Sequence, residues 1–512
     1  MGRINTNVSS LLAQRVLGQN NNALNVSLER LSTGIRINRG KDDPAGLIAS
    51  ENLRSEQKAL SAAITNSDRA DQVVNIAEGG LQEVSSLLTE LQGLLTNSAS
   101  SAGLSSEEKN ANQLQIDSII QTIDRVASAT NFQGIKLLNG NFDFKVSGLG
   151  AGVSDYRVNS AKFSGASLNV DVQVTNSAQQ AGLFLSLGGS SLTLATGSQL
   201  VLEIVGSKGS RELTFSSTQT LATIRSTINT FKDITGVEAS TSGTGIKLFS
   251  SEFGSAEFVT VRVAPGSGTL TGGSSGIRSL ATQNFGSATG TGSAETEFSA
   301  ATSNGVTDRG QDIGATINGV RATSIGKTAR VNSDFLDVEL TLSTAESQAL
   351  GGVDGAAGSG TSAFAITGGG AAFQLAGKVD ISGKVALGIQ DVAVRKLGNS
   401  TIGFLDRLGS GKANSIGSGD IGGGQKIVAE AIKQVSSLRG RLGAFQRNTV
   451  GATIRSLGVA VENTAAAQSL IRDADFASET AALTRSQILV SASTNILSLA
   501  NQQPNAALQL LG

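Results

Sequence analysis

Residues 44–97 read PAGLIASENLRSEQKALSAAITNSDRADQVVNIAEGGLQEVSSLLTELQGLLTN, and apolar side chains recur in them every seven residues. One seam position holds Leu53, Leu60, Val74, Leu81, Leu88 and Leu95, and the other holds Ala63, Ala70, Ala77, Val84 and Leu91. Such a repeat is typical of coiled-coil helices. Asp43 offers an N-cap acceptor and Pro44 a preset first-turn φ. The pattern predicts one long helix from Pro44 to about Asn97.

Helical patterns flank this stretch. Leu and Val residues between Val8 and Leu31 predict an amphipathic helix that stops near Gly34, a residue type suited to the C′ position. After a polar loop, Glu107–Glu108 begin a further helix with Ile residues on one face. The long helix and this one, joined by a short loop, predict an antiparallel helical hairpin.

The far end of the chain is helical as well. One apolar stripe comprises Ile432, Val435, Leu438, Leu442 and Phe445, and the segment Asp473–Phe476 marks a junction. Beyond it, Ala477–Leu511 reads as a terminal helix with a heptad stripe at Leu489, Ala492, Ile496, Leu499, Ala506 and Leu510. Apolar stripes that reach both chain ends need a partner.

The middle of the chain, from about 141 to 410, has a different periodicity. Leu168–Val174 and Leu200–Val205 read as strands bounded by Gly and Ser, and Thr220–Phe231 reads as a helix. The Gly, Ser and Thr in 266–275 suggest a domain boundary. We therefore predict an α+β protein, in which an α-helical coiled-coil core and a helical rod come from both chain ends and flank a β-rich central insert of two small domains.

Composition narrows the functional class. Of the 512 residues, 40 are Lys or Arg and 41 are Asp or Glu. The net charge is therefore too small to attract the chain to nucleic acid or anionic lipid. Cys, His and Trp are absent, which removes disulfides and the usual zinc ligand and general base. No apolar run approaches ~18 residues and the N-terminus lacks a secretory core, so neither a membrane-spanning helix nor a cleaved signal is expected.

Two motifs resemble ligand sites and fail on their spacing. Gly409–Lys412 suggests a phosphate loop, but the required earlier glycine and the later hydroxyl are replaced by Asp406 and Ala413. Asp473 and Asp475 resemble a fragment of a Ca²⁺ loop whose next ligand position holds alanine. We predict no catalytic residue, no metal site and no cofactor, and thus a protein that is not an enzyme.

Short motifs at both ends resemble bacterial flagellin. They are Ile4–Asn7, Leu28–Gly34, Ile37–Asn38, Asp42–Gly46, Thr130–Leu138, Ile471–Ala477, Gln487–Leu489 and Ala500–Pro504. Residues 196–262 resemble the small α/β insert of flagellins and hook-associated proteins. The resemblance implies that the two termini pair as a coiled coil lining a filament core, that a helical rod with a β-hairpin surrounds it, and that the insert projects outward.

On this layout the chain divides into six segments. They are a coiled coil (1–45), a helical rod (46–145), an outer domain (146–270), a second outer domain with a return β-hairpin (271–410), a returning rod (411–472) and a second coiled coil (473–512).

The resemblance also implies a function. The chain would be the structural subunit of the external flagellar filament used for swimming, exported unfolded through the flagellar type III system. Its expected partners are other copies of itself, an export chaperone on the C-terminal helix, and hook-associated junction and filament cap proteins. Two alternatives stay open: a hook–filament junction subunit, and a filament subunit with an added adhesive role.

Two sets of residues follow as candidate functional positions. The assembly seam is predicted at Leu11, Leu24, Leu28, Leu31, Ile488, Leu489, Ile496, Leu499 and Leu510. The second set concerns the vertebrate flagellin receptor, which recognises an Arg on the long helix and a Glu on the following one. The matching positions here hold Glu90 and Gln115, so weak or no receptor activation is expected.

Overall fold

The computed structural model describes residues 6–100, 103–163, 165–187, 189–194, 198–243, 245–264, 267, 276–279, 294–296, 305–353 and 362–511; for 279, 294–296 and 504–511 it describes the backbone alone. The chain divides into two compact units. The first unit comprises Met1–Val74, Phe373–Lys384 and Gly443–Gly512, and the second unit comprises Asn75–Ala372 and Val385–Leu442.

The described residues form nine α-helices. They are α1 (Val8–Thr33), α2 (Pro44–Ser98), α3 (Ser106–Ala129), α4 (Leu221–Thr230), α5 (Lys232–Thr235), α6 (Thr344–Gln348), α7 (Ile421–Ala444), α8 (Gly451–Arg472) and α9 (Phe476–Leu511). Two 3₁₀ turns, Leu405–Leu408 and Ile416–Ser418, precede α7, and a π-helical turn, Phe445–Val450, joins α7 to α8.

The strands of the described residues are short. They are β1 (Asn131–Phe132), β2 (Ile135–Lys136), β3 (Phe144–Ser147), β4 (Val153–Ala161), β5 (Leu168–Val170), β6 (Val172–Asn176), β7 (Gly182–Ser186), β8 (Gln199–Gly206), β9 (Gly209–Ser216), β10 (Val237–Ser242), β11 (Gly245–Ser250), β12 (Phe258–Val263), β13 (Gly276–Ser279), β14 (Ala294–Thr296), β15 (Val306–Arg309), β16 (Gly314–Ile317), β17 (Val320–Arg321), β18 (Thr323–Ile325), β19 (Thr328–Asn332), β20 (Leu336–Leu342), β21 (Gly351–Gly352), β22 (Phe364–Gly369), β23 (Ala371–Gln374), β24 (Lys384–Leu387), β25 (Gly398–Asn399) and β26 (Gly403–Phe404). The terminal helices and the β-rich middle confirm the predicted α+β class.

Capping groups explain where α1 ends and where α2 and α3 begin. Gly34 ends α1 with φ at 71°, a left-handed conformation that glycine adopts without steric cost. At the start of α2, the Gly46 N–H donates to Asp43 Oδ1 at 2.9 Å. Ser105 and Glu108 form a capping box at the start of α3. The predicted boundaries of these helices are confirmed.

In the first unit, the apolar stripe along the beginning of α2 is interrupted by a polar residue. Ser67 occupies the heptad position that lacks an apolar residue, and it is fully buried. Its hydroxyl donates to the Ala63 carbonyl at 2.9 Å, so the helix backbone satisfies the buried group. Within the same unit, the rings of Phe373 and Phe445 lie 6.1 Å apart and anchor the β23–β24 hairpin to the π-helical turn.

In the second unit, the end of α2 packs with α3 and α7. Glu78 on α2 accepts a hydrogen bond from Arg439 Nε on α7 at 2.8 Å, and Asn112 on α3 donates to Ser98 Oγ at 3.0 Å. The buried apolar residues of these helices include Ala77, Leu81, Val84, Leu88, Leu91, Leu95, Ile116, Ile123, Ile427, Val428, Ala431, Val435, Leu438 and Leu442. The heptad pattern of α2 therefore marks the buried face of a three-helix bundle.

The β-rich part of the second unit contains two hydrophobic cores, and one interrupts the other in sequence. The first core draws on residues 144–178 and 313–386, and β4 pairs with β20 across this gap. The second core draws on residues 181–277 and includes α4 together with the sheets β10-β11-β7-β13-β14 and β15-β12-β8-β9. We predicted consecutive domains instead. Local periodicity does not reveal which distant strands pair, and residues 268–275, where the predicted boundary lies, are outside the described residues.

One predicted strand is wrong. Leu168–Val174 forms two strands, because β5 pairs with β22 whereas β6 pairs with β16 and β21 in a different sheet. The chain changes sheets at Asp171, whose N–H donates to Asn318 Oδ1 at 2.7 Å. The strand predicted over Leu200–Val205 is confirmed within β8, and α4 confirms the predicted helix, with Thr220 as its N-cap.

A largely buried carboxylate, Asp143, lies at the start of β3. Burial raises its pKa to about 6, although the Phe144 N–H donates to its Oδ1 at 2.9 Å and opposes the shift. A carboxyl group whose folded pKa is raised contributes stability that is fully present below its ordinary pKa of about 3.8. This contribution is lost as pH rises through about 6.

We therefore expect Asp143→Asn to raise the free energy of unfolding at pH 7.5 by about 1–3 kcal/mol. The variant should also remove the part of the pH dependence that falls between about pH 4 and 6. Urea unfolding at several pH values, followed by the fluorescence of Tyr156, the single tyrosine of the chain, measures both effects. The exposed Asp171 provides the matched Asp→Asn control. Equal pH profiles for Asp143→Asn and the parent protein would contradict the assignment.

Candidate assembly surface

Helices α1 and α9 of the first unit pair with each other. Asn7 Nδ2 donates to the Ala500 carbonyl at 2.8 Å, and Asn20 Nδ2 donates to Ser493 Oγ at 2.7 Å. At the other end of the pair, Arg30 lies 3.7 Å from Glu479. Positions on α1 advance along the sequence as their partners on α9 recede, so the two helices are antiparallel.

Small residues form the closest part of this pair. The contact positions alternate by three and four residues, as in a coiled coil: Ser10, Ala13, Leu17, Asn20, Leu24, Ser27 and Leu31 on α1, and Leu483, Ser486, Val490, Ser493, Leu497 and Ala500 on α9. The positions with the least exposed side chains all hold Ser or Ala, namely Ser10, Ala13, Ser27, Ser486, Ser493 and Ala500. Such residues let two helices approach closely but bury little apolar area.

Other large apolar residues of both helices lie outside this contact. Nine of them are exposed and form a set that we call the apolar face: Val8, Leu11, Leu12, Val16, Leu28, Ile488, Leu489, Ile496 and Leu499. Phe476, the first residue of α9, is exposed as well but is not included in this set. On α9, Leu489 and Ile496 are seven residues apart and Leu499 lies three residues further on, which is again a coiled-coil spacing. A single chain thus leaves nine large apolar side chains of these helices in water, as is usual for a surface that binds another protein.

The predicted seam residues divide into three groups. Leu11, Leu28, Ile488, Leu489, Ile496 and Leu499 belong to the apolar face, with exposed fractions between 44% and 63%. Leu24 and Leu31 are half-buried in the contact between α1 and α9 of one chain. The side chain of Leu510 is outside the described residues. The role of these residues in assembly stays a prediction.

Sequence reasoning missed the Ser and Ala positions of the α1–α9 contact. Ser486, Ser493 and Ala500 are seven residues apart, and that spacing is visible in the sequence. A search for large apolar residues passes over them because two of the three are polar.

A short β-like junction closes the coiled-coil pair. Ile35 and Asp473 form an antiparallel bridge, and the Ala474 N–H donates to the Gly34 carbonyl at 3.0 Å. Arg472, at the end of α8, forms an ion pair with Glu51 on α2, with 2.9 Å between Nη1 and Oε1. The junction therefore fixes the direction in which α1, α8 and α9 leave one another, which accounts for the motifs noted on both sides of it.

Comparison with known proteins identifies the family. The model of the bacterial flagellin N-terminal helical region matches residues 4–143, and that of the C-terminal helical region matches residues 425–511. Flagellin C of Vibrio cholerae is 30% identical over 510 residues, which cover 99% of this chain and 99% of that protein. The chain belongs to the bacterial flagellin family. This flagellin is therefore a structural subunit of the flagellar filament.

Two further sequence matches agree with this placement. The flagellin hook IN motif matches residues 199–252, which lie in the second β-rich core. Flagellin D of Vibrio cholerae is 28% identical over 509 residues, covering 99% of both chains. Among solved structures, the D2–D3 domains of the flagellar cap protein from Serratia marcescens match 38% of this chain and 93% of that one at 18% identity, with a TM-score of 0.23. A TM-score this low does not establish a shared fold.

The family assignment bears on the other readings of the sequence. Flagellins are structural proteins of the extracellular filament, and the matches at both chain ends do not favour the junction subunit or an adhesin. Within the residues that the structure describes, no group of three or more Asp or Glu could hold a metal ion. None of the described helices is both long and apolar enough to cross a membrane.

Proposed function

We propose that copies of this flagellin polymerise through the apolar face of α1 and α9. The observation that carries the proposal is that Ser and Ala occupy the most buried positions between α1 and α9 of one chain, whereas nine large Leu, Ile and Val side chains outside that contact remain exposed. Burying one such large side chain is worth roughly 1.5–3 kcal/mol, so nine of them supply a strong drive for association.

The absence of cysteine allows a direct test of burial in the polymer. A single cysteine introduced as Ile496→Cys should react with a maleimide reagent in the monomer, because the parent side chain is exposed. We expect at least about a tenfold slower reaction after assembly, as for a site made inaccessible to the reagent. Ser498→Cys on the polar side of α9 provides the comparison. Equal reactivity of Ile496→Cys before and after assembly would contradict the proposal.

The same face supports proposals about partners. We propose that an export chaperone covers the apolar stripe of α9 before secretion, because an exposed Leu489–Leu499 stripe would otherwise aggregate in the cell. Hook-associated junction proteins and the filament cap would contact the subunits at the two ends of the polymer. Export without a cleaved signal, the coiled-coil segments 1–45 and 473–512 with the rod segments 46–145 and 411–472, and the absence of a catalytic role belong to the same proposal.

Receptor recognition gives a separate prediction. Glu90 on α2 and Gln115 on α3 are both exposed, where a receptor can reach them. We expect the parent protein to activate the vertebrate flagellin receptor weakly or not at all, and Glu90→Arg to increase the response, because it restores a positive charge with five donors. A receptor reporter assay measures this, with Gln82→Arg on the same helix as the control. A strong response to the parent protein would refute the prediction.

A further inference from the structure

The second unit contains a cavity of about 300 Å³ that assembly does not explain. Its wall includes parts of β3, β4 and α7 and the segment 390–400. Three aromatic rings, Phe144, Tyr156 and Phe404, contribute to the lining. A cavity of this size accommodates a small organic molecule.

The charged groups around the cavity are not equally compensated. Arg157 lies 3.3 Å from Glu430 and 3.9 Å from Asp155, so two carboxylates already face its charge. Asp391 accepts a hydrogen bond from the Ala393 N–H at 2.9 Å and pairs with Arg395. Both groups are therefore satisfied by the protein itself.

Asp143 differs from these groups. Its single described side-chain hydrogen bond comes from the Phe144 N–H to Oδ1, which leaves the other carboxylate oxygen without a hydrogen-bond donor among the described residues. The Tyr156 hydroxyl likewise makes no hydrogen bond to another described residue. Lys396 also lines the cavity but is exposed, so water solvates its charge. The cavity thus contains a largely buried carboxylate oxygen and a phenol that lie beside aromatic rings and accept no hydrogen bond from another described residue.

We propose that this cavity binds a small organic cation, a protonated primary amine with a short alkyl chain. An ammonium group donates hydrogen bonds to a carboxylate and a phenol oxygen, and aromatic rings attract a cation over their faces. The alkyl chain would occupy the apolar part of the wall, which includes Leu149, Val158 and Leu438. An anionic ligand would face the carboxylates of Asp143, Asp155 and Asp391, whereas the cations that line the cavity are either paired, as Arg157 is, or exposed, as Lys396 is.

The chain provides its own reporter for this site. Tyr156 is the single tyrosine and tryptophan is absent, so fluorescence excited in the tyrosine band comes from the cavity wall alone. Titration of the full-length protein with n-butylammonium chloride at pH 7.5 should change this fluorescence saturably. n-Butanol and sodium butyrate have the same chain length and differ in charge, and neither should give a saturable change. Sodium chloride controls for ionic strength.

Substitution tests the carboxylate directly. Asp143→Asn should weaken n-butylammonium binding by roughly 10- to 100-fold, the cost of losing a hydrogen bond to a charged group. Asp171→Asn, at an exposed position, should bind as the parent protein does. The affinity of the parent protein should also fall as pH is lowered through about 6, where Asp143 becomes protonated; Asp155, Asp391, Lys396 and Arg441 are the other charged groups near it.

Three results would overturn the proposal. They are the absence of a saturable response to n-butylammonium, an equal response to butyrate or butanol, and unchanged affinity in Asp143→Asn. The comparison of ligands uses the parent protein, so it decides the matter even where Asp143→Asn folds poorly.

Discussion

Leu499→Asp is expected to abolish filament formation. Leu499 belongs to the apolar face of α9, where 62% of its surface is exposed in the single chain. If assembly buries this position, the substitution loses roughly 1.5–3 kcal/mol of apolar transfer and places an unpaired charge in an apolar contact, which costs several kcal/mol more. The penalty recurs at every subunit. Sedimentation of assembled material and negative-stain microscopy measure the loss.

Ser498→Asp provides the matched control for this experiment. It introduces the same charge one residue earlier in the same exposed helix, on the side away from both the α1 contact and the apolar face. We expect it to polymerise as the parent protein does, and we expect both variants to keep their β-rich cores folded. Normal filaments from Leu499→Asp would refute the assignment of the apolar face.

Leu88→Ala is expected to destabilise the second unit by about 2–5 kcal/mol. Leu88 is fully buried in the bundle of α2, α3 and α7, and truncation to alanine leaves a cavity that close-packed helices do not fill. Urea unfolding of the monomer, followed by far-ultraviolet circular dichroism, measures the change in the unfolding free energy.

Leu114→Ala makes the same substitution on α3 at a position where 68% of the leucine is exposed. We expect a change within about 0.5 kcal/mol, since little buried area is lost. If the two variants were destabilised equally, the bundle would not be packed as described.

The helices could be predicted because their signals are local. Asp43 and Pro44 mark the start of α2, Gly34 marks the end of α1, and Ser105 with Glu108 marks the start of α3; each acts within one turn of its own helix. The heptad of α2 also identified the buried residues of the bundle, because a seven-residue period keeps them on one face.

The strand arrangement could not be predicted in the same way. Leu168–Val174 reads as one strand, yet its two halves join different sheets through partners some 140 to 200 residues later in the chain, from Gly314 to Ile366. Nothing in local alternation specifies such pairings. The interruption of one core by the other has the same origin.

The candidate site was predicted in part. Large apolar residues such as Leu11 and Leu499 were identified from their spacing, and the structure places them on exposed positions. Spacing alone did not distinguish the contact within a chain from the surface left for other chains, so Leu24 and Leu31 were grouped with them. The distinction depends on Ser10, Ser493 and Ala500, whose small size sets the distance between α1 and α9.

The central claim is that the two chain ends drive polymerisation of this flagellin. Negative-stain microscopy of the purified full-length chain, seeded or salted out beside a variant that lacks residues 473–512, tests it most directly. The variant loses α9 and with it half of the coiled-coil pair, while residues 75–372 and 385–442, which form the second unit, remain. We predict filaments from the full-length chain and none from the shortened one. Filaments from both would contradict the claim.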